Sequence, residues 1–577
     1  MNILGLNVFH ADTSAALIVN GKLVAAIEEE RFTKIKHYAG LPINSIKYCL
    51  NSHNLTISEV DVITVNYNSK YNFFNKVLFT IKNFNSLTFQ KIISLKNKNN
   101  IKNILQESFS KKINAKIIHI PHHIAHIASS YLLSGINDGI GLTIDGSGDF
   151  STSESFILNN NKIKLVDKQL YPHSLGIFYQ TFTQFLGFKN YGDEYKVMGL
   201  SSYGTPKYFN RLKKVINFDE NGNFKLNLEY FNYYKNSLSF NFDDGKPSFS
   251  NFFNKNFIEL FGNERSVDQK IDTYHKDLAA SVQKVFEEII ISKILYLKKK
   301  YKRSNLVLSG GCFFNSILNG KIHDLKIFDK IFISPFVGDA GGSVGSALYY
   351  TKNSKNFKNN ILKTSYLGNS YSNKFIEKEI IENYNLKNSE SVIFKYFDDF
   401  NDLTKIISDE ISNNKLVAWF QGNSEFGPRA LGNRSLLANP TNPKIKDIIN
   451  GKIKKRESFR PFAPIIMEEH YDEYFYQQFP SPFMTFVFKA KDIALKKIPG
   501  VVHVNGTSRV QTINQDQNPK IFDLLKKFKE ASGVPVLLNT SLNINEPINN
   551  DPITAFETYT KSNIDILVME NYVFYKK

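Results

Sequence analysis

The sequence predicts an α/β protein of two unequal domains, the first internally duplicated, on three observations. A strand, a polar loop and a hairpin open the chain and recur at 140–170. Two strands that follow a long helical stretch each run into a glycine-rich loop and another helix. A second set of short strands among helices begins near residue 375. At 577 residues the chain exceeds one hydrophobic core, since domains rarely grow past about 250–300 residues.

Residues 3–9 (ILGLNVF) read as a buried strand. The polar turn His10–Ser14, a second strand (AALIV), an Asn20-Gly21 turn and a third strand (KLVAAIEEE) follow. Asn-Gly between apolar runs signals a hairpin, because both central residues of the tight turn need positive φ. The pattern returns as IGLTI, Asp145-Gly-Ser-Gly-Asp149, SESFIL, an Asn-rich turn and KIKLVDKQL. Such a duplication is characteristic of actin-like (ASKHA) and sugar-kinase-like ATP folds, where each half presents a hairpin loop to the phosphates. Loops 10–14 and 145–149 are then expected to face each other across a cleft.

Residues 68–116 are rich in Lys and Asn but keep helical apolar spacing, which predicts an inserted helical region. A long helix is expected from about 270 to 300, with Leu278, Val282, Val285 and Ile289 on its apolar face. Beyond it, NLVLS leads to Gly310-Gly311, and IFISP leads to Gly338–Gly345. Strand, Gly-rich loop, helix suits phosphate or ribose contact through backbone N–H groups. Gly310, Gly311, Asn315 and Gly338 are the candidate nucleotide contacts of this domain. The expected division is a first domain at 1–355, a linker at 356–374 and a second domain at 375–577.

The net charge of +18 comes from Lys far more than Arg. That composition disfavours nucleic acid, whose bases and phosphates draw on the forked guanidinium, and fits an anionic small substrate better. Two cysteines, Cys49 and Cys312, exclude a disulfide framework and a thiolate metal site. The N-terminus lacks a basic n-region, and no apolar run reaches the roughly 18 residues of a membrane span. A cytoplasmic protein is expected, and a homo-oligomer is compatible with the sequence.

HHIAHIASSYLL reads as a helix on which His122 and His126 share a face while His123 points elsewhere. An isolated pair of this spacing is more often two ordinary histidines. Asp145 and Asp339 shift the balance, since each follows an apolar strand where an acid has little structural use beyond capping a turn.

VFHADTSAALIVNGKLVAAIEEERFTKIKH, HHIAHIASSY, TIDGSGD, DEYKVMGLSSYG, LSGGCFFNS and GDAGGSVGSA resemble the O-carbamoyltransferase family. That family includes the nodulation-factor, tobramycin and cephalosporin-type carbamoyltransferases. QGNSEFGPRALGNRSLLANP, KKRESFRPFAP and VPVLLNTSLNINEPI extend the resemblance through the second half, in order. It implies an actin-like first domain similar to the enzymes that transfer threonylcarbamoyl to tRNA, holding a nucleotide and iron. It implies a smaller second domain similar to factors that make carbamoyl- or threonylcarbamoyl-adenylate. By position, the iron ligands would be His122, His126, Asp145 and Asp339, and the catalytic residues His10 and Lys36, the latter preferred over Lys34. Fe(II) is the implied metal, with zinc or another divalent ion as alternative, and ATP with Mg is a substrate.

The second-domain motifs also make chemical sense alone. Carbamoyl phosphate is a dianion with a planar amide. Arg429, Arg460 and Arg509 could grip its phosphate through forked bonds, with Lys454 adding a point charge. Asn539, Ser541 and Asn543 could bond the carbamoyl group or the adenylate.

The resulting expectation is an O-carbamoyltransferase in two steps. ATP and carbamoyl phosphate give carbamoyladenylate in the second domain, and an acceptor hydroxyl takes the carbamoyl group in the first. A tRNA threonylcarbamoyl-type transferase is the first rival, disfavoured by the appended second domain. A non-catalytic actin-like regulatory protein is the second, disfavoured by intact ligand candidates in both domains. Sugars, glycan precursors and secondary metabolites are all admissible acceptors. Insertions at 68–116 and 205–265 are expected to shape the acceptor pocket.

Overall fold

The computed structural model describes residues 1–82, 100–234, 245–354, 357 and 361–577. The chain forms two compact units, Met1–Leu362 and Lys363–Lys577.

In the first unit, strands β1 (Asn2–Asn7), β2 (Ser14–Val19), β3 (Lys22–Glu28), β4 (Val62–Val65) and β5 (Lys116–His119) form one sheet, ordered β3-β2-β1-β4-β5. Strands β6 (Asp138–Gly148), β7 (Ser151–Asn159) and β8 (Lys162–Leu170) open the second half. A small hairpin, β9 (Ile216–Phe218) and β10 (Phe224–Leu226), intervenes before β11 (Asn305–Ser309) and β12 (Lys330–Ile333). The second sheet is ordered β12-β11-β6-β7-β8, the same order as the first when each half's strands are counted from its own start. In both halves the first strand is antiparallel to the second and parallel to the fourth. The α/β duplication read from the sequence is therefore real. Its turns follow the expected chemistry: Asn20 and Gly21 take φ of 50° and 85°, and Asn160 and Asn161 take 47° and 63°.

The glycines of GDAGGSVGSA set the packing. The helix Gly341–Thr351 lies against β1 and against the helix His122–Tyr131. A Cβ on Gly345 would overlap the Ala125 carbonyl oxygen, and one on Gly5 would overlap that of Ser343. The long helix spans Thr273–Tyr301, started by an Asp272–His275 capping box and ended by Lys302 in the left-handed region. Leu278, Val282, Val285 and Ile289 are buried on it, as the periodicity predicts. The inserted region holds helices Phe73–Lys82 and Ile101–Phe109, and residues 83–99 of that expectation lie outside the described residues. Among the described residues no helix is long and apolar enough to cross a membrane.

In the second unit, β13 (Val392–Tyr396), β14 (Val417–Phe420), β15 (Arg434–Ala438) and β16 (Ala463–Met467) come first. A two-stranded pair, β17 (Phe488–Lys489) and β18 (Thr507–Ser508), is set apart. With β19 (Gln511–Ile513), β20 (Val536–Ser541), β21 (Ile566–Met569) and β22 (Tyr572–Lys576), the others form a mixed sheet ordered β13-β22-β21-β14-β15-β20-β16-β19. The stretch expected as linker joins this unit earlier than residue 375. Ser365 is fully buried, and its carbonyl accepts from the Phe426 N–H at 2.8 Å, while Gly368 N–H donates to the Ser424 carbonyl at 3.0 Å. Backbone pairing, invisible in a Lys/Asn-rich composition, orders it.

Candidate metal centre and arginine cluster

His122 and His126 lie one turn apart on a helix whose ten residues are all buried, and their Nε2 atoms approach to 2.9 Å. Asp145 reaches them from β6, where the pairing with β7 shifts register between Ile144 and Gly148 and releases the residue from the ladder. Its Oδ2 is 2.8 Å from His126 Nε2 and 3.4 Å from His122 Nε2. Asp339, in the turn before the Gly341–Thr351 helix, places Oδ1 3.4 Å and 3.5 Å from the same two nitrogens. The four donor atoms lie within 4.8 Å of one another. Two glycines make the approach feasible: Gly345 lets the two helices touch, and a Cβ on Gly148 would overlap the His122 ring. His123 turns away, its Nδ1 2.8 Å from Thr143 Oγ1.

The charges are unusual for so dry a place. Burial, together with Asp339, would raise the Asp145 pKa, but His122 and His126 override this and hold it below the usual carboxylate range. Burial likewise opposes ionisation of Asp339, and His10, His126 and His122 hold it well below that range. Burial would lower His126, yet Asp145 and Asp339 raise it to about 10, while burial and His126 push His122 down. Asp339 Oδ1 is buried with no hydrogen-bond partner. Two imidazoles and two carboxylates converging in this way fit a divalent cation, whose charge offsets both acids and satisfies all four donors at once.

His10 borders this cluster. Its Nδ1 is 2.7 Å from Asp339 Oδ2 and its ring centroid 6.3 Å from that of His122, with a third of the side chain exposed. Lys36 is exposed on its loop. The next residue turns inward instead: His37 Nδ1 lies 2.7 Å from Asp12 Oδ1, and its N–H donates to Glu30 Oε2 at 2.8 Å. Burial would lower the His37 pKa, but Asp12, Glu30 and Glu194 raise it to about 9. Burial in turn raises Glu194 to about 7. Asp12, His37 and Glu194 were not singled out in the sequence, because no local spacing links positions 12, 37 and 194. Of the nucleotide candidates, Gly310 takes φ of 96° and abuts the Ile144 carbonyl, and Gly338 abuts the Phe314 ring. Gly311 faces Asp145, where an added Cβ would come within 3.0 Å of Oδ1. Asn315 instead caps a helix by accepting from Leu318 N–H at 3.0 Å and donates to Gln283 Oε1 at 2.8 Å.

In the second unit the expected arginines converge. Burial lowers the Arg509 pKa well below its ordinary value, and the charges of Arg429, Arg456 and Arg460 lower it further. Burial pushes Arg429 down to about 10. Arg456 is an addition to the expected set; its guanidinium stacks 4.9 Å from the Phe462 ring centre and donates Nε–H to Asn450 Oδ1 at 2.7 Å. The R-x-x-x-R spacing of Arg456 and Arg460 was the available signal. His503 is pushed down to about 3 by burial and then by Arg509, so it stays neutral beside them. The loop carrying Arg429 is held from within. Glu425 Oε1 accepts from the N–H groups of Leu431 at 2.7 Å and Asn433 at 2.9 Å. The fully buried Arg434 stacks 3.7 Å over Phe420 and donates to the carbonyls of Gln421, Asn369 and Gly422.

Lys454 directs its ammonium to the carbonyls of Ser541 and Asn543, both at 2.6 Å, and to Asn543 Oδ1 at 2.7 Å. It therefore braces the Ser541–Asn543 loop. Asn539 donates to Gln511 Oε1 at 2.9 Å and keeps its own Oδ1 buried without a partner.

A family model described as carbamoyltransferase N-terminus matches residues 2–348, and one described as carbamoyltransferase C-terminus matches 408–576. The uncharacterized protein sll1178 of Synechocystis is 33% identical, over 100% of this chain and 97% of its own length. The nodulation protein NolNO of Sinorhizobium fredii is 32% identical over 99% of this chain and 80% of its own. Among solved structures, component A of the Acidaminococcus fermentans (R)-2-hydroxyglutaryl-CoA dehydratase overlaps 61% of this chain and 99% of its own, at 13% identity and a TM-score of 0.33. With both halves matched in order over nearly the whole length, the chain belongs to the carbamoyltransferase family and is a carbamoyltransferase.

Proposed function

We propose that the protein is an O-carbamoyltransferase that uses ATP and carbamoyl phosphate to make carbamoyladenylate and then carbamoylates a hydroxyl of a small molecule or glycan precursor. The observation that carries this reading is the pairing of chemistries in one chain: a cluster of four arginines in the second unit, and a His/Asp cluster flanked by His10 in the first.

For the first step, Arg429, Arg456, Arg460 and Arg509 bind and orient the phosphates. Atom balance requires that water release the carbamate from its phosphate. The carbamate oxygen then forms a bond to the α-phosphorus of ATP as the bond to pyrophosphate breaks. Crowded guanidiniums stabilise the charge on both leaving phosphates. The Lys454-braced loop orients the planar carbamoyl group, with Asn539 Oδ1 a ready acceptor for its amide hydrogens.

For the second step, the acceptor oxygen forms a bond to the carbamoyl carbon while the bond to AMP breaks. A metal held by His122, His126, Asp145 and Asp339, for which mixed His/carboxylate donors suit Fe(II) and also admit zinc, would supply Lewis acidity. His10, tethered to Asp339 and partly exposed, is placed to take the acceptor proton. The glycine loops at Gly310 and Gly338 admit the nucleotide. The test is pyrophosphate release from ATP in purified protein. Dependence on carbamoyl phosphate supports the proposal; release without it, or none, removes it in favour of a threonylcarbamoyl-type or non-catalytic reading.

A further inference from the structure

We propose that the helix Phe73–Lys82 docks this protein on an anionic lipid surface. Five apolar side chains of the helix face outward, with exposures of 55% for Phe73, 81% for Phe74, 39% for Val77, 58% for Leu78 and 70% for Ile81. Among the described residues no other helix or strand carries more than two exposed large hydrophobics, so this is a patch and not scatter.

The opposite face anchors the helix to the body of the first unit. The Phe79 ring lies 5.4 Å from Phe150 and 5.3 Å from Tyr171, and the Asn72 amide just before the helix donates to Ser151 Oγ at 2.9 Å and the Asp149 carbonyl at 3.1 Å. The apolar face is therefore displayed on a fixed support.

Charge selects the occupant. Between Asp61 and Glu107 the chain has no acidic residue and seven lysines. Of these, Lys70 precedes the helix and Lys82 ends it, both exposed. Lys168 reaches the N-terminal end of the helix, its ammonium 5.6 Å from the Tyr71 ring centre. A second copy of the chain would set these lysines against themselves in a two-fold contact. A bilayer carrying negative headgroups meets the lysines with opposite charge and the apolar face with acyl chains, as interfacial helices do. The inference is independent of the carbamoyl chemistry.

The experiment uses the full chain in co-sedimentation with vesicles, either of phosphatidylcholine alone or of phosphatidylcholine mixed with phosphatidylglycerol. Partition into the anionic vesicles is expected to be at least roughly tenfold stronger and to weaken with salt. The variant Phe74→Ser/Ile81→Ser and the variant Lys70→Glu/Lys82→Glu should each lose at least roughly tenfold. Both change only exposed positions, and an unaltered circular dichroism melt certifies their fold. Equal or absent binding to the two vesicle types overturns the proposal, as does an apolar variant that binds like wild type. So does a wild-type dimer in sedimentation velocity that the apolar variant turns into monomer, since the patch would then be a self-interface.

Discussion

The His/Asp cluster of the first unit and the arginine cluster of the second both concentrate charge, one of each sign. The first brings two ionised carboxylates onto two imidazoles and leaves Asp339 Oδ1 without a partner. There the acids set the balance and raise His126. The second crowds Arg429, Arg456 and Arg460 around Arg509, whose Nε is buried without a hydrogen-bond partner. There the excess is positive, with Glu457 Oε2 3.7 Å from Arg460 Nη1. Crowding like charges is costly, so the first site suits a cation and the second an anion.

Breaking the first site should give the largest effects. The His122→Ala/His126→Ala variant is expected to lose nearly all bound metal, measured per chain by plasma mass spectrometry, together with transfer to acceptor. Wild-type metal content in that variant would remove the metal assignment.

His10→Ala sharpens the comparison, because His10 touches Asp339 but is not one of the four donors. Metal content and pyrophosphate release should persist, while carbamoyl transfer falls by roughly 10²- to 10⁴-fold, the usual range for a lost acid–base group. Loss of pyrophosphate release in this variant would contradict the division of labour between the sites.

The second site should respond to geometry as well as charge. Arg460→Lys keeps the charge and loses the fork, so carbamoyl-phosphate-dependent pyrophosphate release should drop roughly ten- to hundredfold, or about 1.5–3 kcal/mol. Transfer from supplied carbamoyladenylate should survive. Release at the wild-type rate would make Arg460 an ordinary solvated charge.

The smallest effect concerns His37, which pairs with Asp12 in the first unit. Its folded-state pKa is raised from 6.5 to about 9, burial being outweighed by Asp12. Its favourable contribution to folding is therefore complete below pH 6.5 and is lost as pH rises through 9. An NMR titration of the imidazole should show that value, and Asp12→Asn should bring it down. A midpoint near 6.5 in the wild type would show that the His37–Asp12 pair carries no charge.

Local sequence determined much of this protein. The duplicated hairpins, the histidine helix and the long helix follow from periodicity and turn chemistry, which act between neighbours in the chain. The resemblance named all four candidate ligands; from the residues themselves, the i,i+4 spacing marked His122 and His126, and acids in loops after apolar strands pointed to Asp145 and Asp339. Tertiary structure decided the rest. Asp145 and Asp339 reach His122 and His126 because Gly345 and Gly148 let elements far apart in sequence touch. His37 meets Asp12, Arg456 joins Arg509, and Lys454 turns to its own loop for the same reason. Composition marked residues 356–374 as linker, but the backbone partners of Ser365 and Gly368 lie some 60 positions away. Contacts of that range depend on how glycine-lined surfaces close on one another, and no window of neighbouring residues encodes that closure.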